Sequence, residues 1–225
     1  MIIKELSKRH VLFMDEEYFT GIYLSIHLIN ADNYVYIIDS GLGTRSTDPV
    51  NKYIKDNNIN KPIILINSHF HWDHIMGNPY IDAKWIVSHD STVDKIKGTW
   101  DIIYKDIYLP NKERIGEASL KLPNLTFSNK LDFIDDGIHL VYAPGHTTTC
   151  IYIYDSVEKV LNIADNIGDT MDDIIPSLEV SYDEYRETIN QVKLVDAEIV
   201  ISGHNEITTT EVFDLILTTL DTLKK

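Results

Sequence analysis

His69-Phe70-His71-Trp72-Asp73-His74 packs three imidazoles and a carboxylate into six positions, two residues after the apolar run Ile63-Ile64-Leu65-Ile66. A short, continuously apolar run reads as a strand in the middle of a covered sheet, so the block falls in the loop at a strand end. Three further ligand-type residues occupy the same kind of position. His146 follows Leu140-Val141-Tyr142-Ala143, Asp165 follows Val160-Leu161-Asn162-Ile163-Ala164, and His204 follows Ile199-Val200-Ile201-Ser202. The candidate ligand set is therefore His69, His71, Asp73, His74, His146, Asp165 and His204, using five of the nine histidines. Clustered imidazoles repel one another when protonated, whereas a metal keeps imidazole neutral and carboxylate charged. Closed structural zinc sites are usually Cys-rich and four-coordinate, and this chain has one cysteine, Cys150. Nitrogen and oxygen donors in this number suit an open site for two divalent ions, with positions left for water and substrate.

The rest of the composition narrows the class. At 225 residues and 44% hydrophobic content, the expectation is one globular domain spanning 1–225. No apolar run approaches the ~20 residues that cross a bilayer. Met1-Ile2-Ile3-Lys4-Glu5 lacks the layout of a secretory signal. A single cysteine forms no internal disulfide, which suits a reducing cytoplasm, and Cys150 reads as a small core residue. The net charge of −15 repels nucleic acid and anionic membranes, leaving a small molecule as the expected partner.

Along the chain, strands are expected at 22–28 and 34–38, joined by the turn Asn30-Ala31-Asp32-Asn33. Asp48-Pro49 reads as a helix start, with Asp as cap and the helix running to about Asn57. Further strands are expected at 63–66, 84–88, 125–128, 137–143, 151–154, 159–163 and 199–201. His89 or Asp90 is expected to cap a short helix ending near Lys97. Ser181 with Glu184 three residues on is a capping box for a helix over 181–195, and a last helix covers 208–223. Trp100, Tyr104 and Tyr108 form a helical stripe that either packs on the body of the domain or lids the site. Two sheets covered by helices on both outer faces, with the ligand loops converging at one edge, satisfy this order.

The motifs Asn67-Ser68-His69-Phe70-His71-Trp72-Asp73-His74, Ala143-Pro144-Gly145-His146-Thr147, Ala164-Asp165-Asn166 and Ser202-Gly203-His204, in this order, resemble those of the metallo-β-lactamase-fold superfamily. The resemblance covers essentially the whole chain and implies an α/β, four-layer αββα sandwich. It implies that His69, His71 and His146 hold one metal, Asp73, His74 and His204 the second, and that Asp165 bridges them. Asp39, Ser68 and Thr147 are candidates to orient the ligands. Gly145 and Gly203 are expected to let the backbone turn before a ligand, and Trp72 to stiffen the loop. Class B β-lactamases generally lack an Asp at the position of Asp165, and type II glyoxalases usually add a C-terminal helical part with basic residues.

The expected function is that of a binuclear metal-dependent hydrolase of a small ester, lactone or thioester. A hydroxide formed between two ions, most simply zinc with iron or manganese as alternatives, would attack the carbonyl carbon. Asp73 would pass its proton to the leaving group. The alternatives are a phosphodiesterase of the same fold, which a pocket rich in Lys or Arg would favour, and a non-hydrolytic di-iron redox or metal-binding protein.

Overall fold

Alternating side chains sort themselves onto the two faces of each sheet in the computed structural model, which describes residues 1–15 and 23–223. The first sheet has the order β1 (Ile2–Glu5), β2 (His10–Asp15), β3 (Leu24–Asn30), β4 (Val35–Ile38), β5 (Ile63–Ile66), β6 (Ala83–His89) and β7 (Leu125–Phe127). It is antiparallel up to β4 and parallel from β4 to β7. The second sheet runs in the order β12 (Ile199–Ile201), β11 (Val160–Asn162), β10 (Ile151–Asp155), β9 (Ile138–Tyr142) and β8 (Lys130–Phe133), with β11 and β12 parallel. Among the described residues six α-helices accompany them: α1 (Thr44–Asp56), α2 (Trp72–Ile75), α3 (Thr92–Ile102), α4 (Lys112–Ile115), α5 (Tyr182–Val192) and α6 (Glu211–Leu223).

The period of two along each strand decides the layers. In β4, Tyr36 and Ile38 face the second sheet and meet Leu140, Ile151 and Ile153, while Val35 and Ile37 face outward to Val50 and Tyr53 of α1. In β10, Ile151 and Ile153 face inward while Tyr152 and Tyr154 join the cluster formed by α5 and α6. Helix, sheet, sheet, helices is the resulting order, the expected αββα sandwich. Each fully buried Leu or Ile at these interfaces contributes roughly 1.5–3 kcal/mol. Cys150 is fully buried just ahead of β10, and burial pushes its thiol up to about 12. No helix among the described residues is long and apolar enough to cross a membrane.

Several elements differ from expectation. Strands β1 and β2 carry no alternation: β1 is exposed along its length, and all six residues of β2 are buried. Strand β8 was likewise not anticipated. The strand expected from Ile22 begins at Leu24, and Ile22 lies outside the described residues. Helix α1 starts at Thr44, not Asp48. Gly43 breaks the chain with φ 77°, and Pro49 then sits inside the helix, where its missing N–H leaves one carbonyl without its usual partner. Helix α3 begins after Ser91, whose side chain makes no capping hydrogen bond, not after His89 or Asp90, and it outruns Lys97, continuing into a π-helical segment over Ile103–Tyr108. The aromatic stripe lies along this run. Trp100, Ile103, Ile107 and Tyr108 pack with Leu24, Leu42, Met76 and Trp72, so the stripe packs on the body, beside the ligand block. Tyr104 stays 40% exposed between its neighbours.

Candidate metal centre

Each candidate ligand leaves the carboxyl end of a strand. Strand β5 runs through Asn67-Ser68 to His69, and the single turn of α2 follows, with His71 as its cap and Asp73 and His74 inside it. The loop after β9 carries His146. The 3-10 turn Ala164–Asn166 after β11 carries Asp165, and the loop after β12 carries His204. All seven side chains come together at one edge of the sandwich. They fall into three groups whose donor atoms lie within 4.8 Å of one another: His69, His71 and His146; Asp73, His74 and His204; and His69, His74 and Asp165. Asp165 Oδ2 is 3.2 Å from His74 Nε2, 3.3 Å from His204 Nε2, 3.6 Å from His69 Nε2 and 3.9 Å from His146 Nε2. Asp73 Oδ2 lies 3.2 Å from His204 Nε2 and 3.5 Å from His74 Nε2.

The outer nitrogens fix the tautomers. His74 Nδ1 donates to Asp39 Oδ2 at 2.8 Å, His204 Nδ1 to the Tyr23 carbonyl at 2.7 Å and His146 Nδ1 to the Ser177 carbonyl at 2.8 Å. Ser68 Oγ gives its proton to Asp39 Oδ2 at 2.7 Å, so the 3.0 Å contact from His69 Nδ1 is an N–H donated to Ser68 Oγ. With Nδ1 so engaged, the Nε2 atoms of these four rings face inward towards the carboxylates, where His74 Nε2 also lies 3.3 Å from His204 Nε2 and His146 Nε2 3.0 Å from His71 Nδ1. His69 Nε2 and Asp165 Oδ1 are buried without any hydrogen-bond partner. Buried polar atoms are rarely left so, and a shared cation satisfies them. The donor set therefore fits the divalent ions that the fold implies.

Electrostatics agree with that reading. Burial, reinforced by the neighbouring His74, holds His69 neutral well below the usual imidazole range, and burial with His146 pushes His71 down to about 4. For Asp73 and Asp165 burial alone would raise the carboxyl, but His74 and His204 outweigh it and keep both ionised. Those same carboxylates, Asp165 foremost, outweigh burial at His74 and His204 and raise both imidazoles. Positive charge is thus favoured between the two carboxylates, where a divalent ion would also be favoured.

Asp39 and Ser68 take the orienting roles expected of them. Asp39, at φ 63°, also accepts the Ser68 backbone N–H at 2.8 Å, so one carboxylate aligns two rings. Thr147 does not touch a ligand ring: its hydroxyl bonds Thr149 and Cys150 within the loop. Gly145 and Gly203 are required for space rather than for a special turn. A Cβ at Gly145 would lie 2.3 Å from Asn166 Oδ1, and one at Gly203 would lie 2.0 Å from Asp165 Oδ1. His89 stacks on Tyr142, outside the centre. Reading of the sequence missed Asn166, whose side chain accepts the His146 N–H and donates to the Ala143 carbonyl. Its place beside Asp165 was the available signal.

A cavity of about 380 Å³ borders the centre at His204. Tyr23 and Met171 line it, with Asp169, Asp172 and Glu206, and no Lys or Arg is among the described lining residues. Arg45 is engaged by Asp15 at 2.7 Å.

The family model described as the metallo-beta-lactamase superfamily matches residues 21–204. A hydroxyacylglutathione hydrolase of Pelagibacter ubique (strain HTCC1062) is 30% identical over 149 residues, 62% of this chain. The match spans about half of that relative, 52% of its length. Among solved structures, the DIM-1 metallo-beta-lactamase superposes with a TM-score of 0.75 at 16% identity, covering 99% of this chain and 97% of the other. A metallo-beta-lactamase from Hirschia baltica gives 0.74 at 16%, covering 97% of each chain. With the family model spanning most of its length and the sandwich shared from end to end, the chain belongs to the metallo-beta-lactamase superfamily.

Proposed function

We propose that this chain is a single-domain, two-metal hydrolase of a small neutral ester, lactone or thioester, working in the cytoplasm without nucleic-acid or membrane partners. The observation that carries the reading is the division of seven side chains into two triads, with the Asp165 carboxylate among the imidazoles of both. His69, His71 and His146 would hold one ion, Asp73, His74 and His204 the other, and Asp165 would bridge them. Zinc suits this nitrogen-rich set, with iron or manganese as alternatives. When bound, divalent ions polarise a carbonyl oxygen and make water a stronger acid.

The protein's own groups do the remaining work. Asp73 is buried and kept ionised, with Oδ2 beside His204 and His74. It is the base that takes the proton of the attacking water and returns it to the leaving group. Asp39 and Ser68 lock His69 and His74, so the rings need no reorientation during turnover. The cavity beside His204 receives the substrate. Its carboxylates repel phosphodiesters and anionic thioesters such as those of glutathione, which favours a neutral carbonyl substrate over the phosphodiesterase reading. The hydroxyacylglutathione hydrolase relative supports carbonyl chemistry of the thioester kind.

The test is elemental analysis of untagged protein beside a panel of p-nitrophenyl ester, lactone, thioester and bis-phosphodiester substrates. We expect about two zinc ions per chain and turnover confined to the carbonyl substrates. Iron without hydrolysis, or a preference for the phosphodiester, would overturn the proposal.

A further inference from the structure

A hydrogen-bond chain outside the ligand set runs from one sheet to the loop that carries Asp165. Its inner end is Asn162, buried in β11. Asn162 lies 2.9 Å from the Ala164 backbone nitrogen and 3.4 Å from His27 Nδ1. A backbone N–H can only donate, so the atom facing Ala164 is Oδ1 and the amide NH2 is turned to His27. His27 Nδ1 must then accept, which leaves the proton on Nε2 to be donated to His10 Nδ1 at 2.9 Å. His10 in turn donates from Nε2 to Asp155 Oδ2 at 2.8 Å, where Arg9 Nε also binds, at 2.5 Å. Each link forces the next, and both imidazoles are neutral. Burial, aided by His10, holds His27 well below the usual range, in agreement.

The chain ends at a residue under strain. Ala164 sits at φ 51°, in the left-handed region that side chains avoid. Its N–H is held by Asn162, and its carbonyl accepts the Gly203 N–H at 2.9 Å. Ala164 thus stands next to Asp165 in sequence and grips the residue before His204. One conformation sets both groups.

We propose that Asn162 and His27 are positioning residues of the metal centre: the strut from β3 through Asn162 holds Ala164 in its left-handed conformation and so fixes where Asp165 and His204 point. The inference rests on the reading of Asp165 and His204 as ligands. Without the Asn162 oxygen the Ala164 N–H is buried unpaired, the peptide relaxes, and Asp165 leaves the point shared by four imidazoles.

The experiment is zinc affinity by competition with a chromophoric chelator, with the visible spectrum of the cobalt-loaded protein as a report on ligand geometry. Asn162→Ala and His27→Ala are compared with the wild type and with Leu220→Ala, a core truncation in α6 away from the centre. We expect Asn162→Ala to bind zinc roughly 10- to 100-fold more weakly and to alter the cobalt spectrum, with a smaller loss in His27→Ala. Asn162→Asp, which keeps the acceptor for Ala164, should recover most of the affinity. Should Asn162→Ala fail to fold, His27→Ala and Asn162→Asp decide the matter by the same two readouts. Wild-type affinity and spectrum in the strut variants, or an equal loss in Leu220→Ala, would overturn the strut while leaving the metal centre intact. A wild type that binds no metal would overturn the ligand assignment, and the strut with it.

Discussion

The seven side chains at the sandwich edge do separate jobs, and single substitutions tell them apart. Asp73→Asn keeps the shape of the side chain but removes the proposed base. Turnover should fall by roughly 100- to 10,000-fold with the fold intact by circular dichroism, and unchanged turnover at full metal content would remove Asp73 from the mechanism. Asp39→Ala acts one layer out, freeing the ring of His74 and the hydroxyl of Ser68. We expect metal affinity to drop about 10- to 100-fold, measured by equilibrium dialysis. Gly203→Ala places a methyl group against Asp165 Oδ1 and His74, so the purified variant should carry markedly less metal than the wild type. The clustering of the candidate ligands was legible because the segments that carry them follow apolar runs, where a strand must end. Their supports were not. Asp39 reaches His74 across 35 positions, and His27 reaches Asn162 across 135, so nothing local in the sequence pairs them.

Elements were legible where the pattern was local and obscure where burial was total or absent. Strand β5 was found at its true bounds because four apolar residues between Pro62 and Asn67 leave no other reading. Strand β2 is buried on both faces, and β1 on neither, so the period of two vanishes from both. Pro49 misplaced the start of α1 because a proline is normally a first-turn residue, whereas here the break is made earlier by Gly43. The Ser181 cap was legible and is present: its hydroxyl accepts the Glu184 N–H at 3.2 Å. Ser181→Ala should cost about 1 kcal/mol, seen as a midpoint shift in urea with unchanged slope. The π-helical widening at Ile103–Tyr108 had no signature beyond the four-residue aromatic spacing; Trp100 and Tyr108 on this run share one apolar cluster with Trp72, which lies between two candidate ligands.

At the scale of the whole molecule, acid should weaken the fold through groups outside the candidate ligand set. His27 is neutral in the folded protein because burial depresses its pKa. Once unfolded it regains an ordinary value near ~6.5, so below that pH the unfolded chain binds a proton that the folded one refuses. Asp155 contributes in the same direction. Burial opposes its charge, but hydrogen bonds from His10 and Arg9 win and hold its pKa down, so its share is present near neutrality and lost as pH falls through the folded value. The part that follows from His27, read as the difference in urea midpoint between metal-free wild type and His27→Asn, should therefore shift against the wild type from pH 7 to pH 5, while the Asp155 share is lost only below the ordinary carboxylate range. The centre has a second consequence at this scale. Its proposed ligands are drawn from loops between residues 69 and 204 and from both sheets. An ion seated there is a staple across most of the chain, in a protein whose one cysteine can form no internal disulfide of its own. Its closing depends on ion supply rather than redox state, and at a thousandfold excess over the dissociation constant it adds about 4 kcal/mol. Starvation for metal would then expose the molecule to proteolysis as well as silence it, so that its abundance in a cell tracks the metal pool.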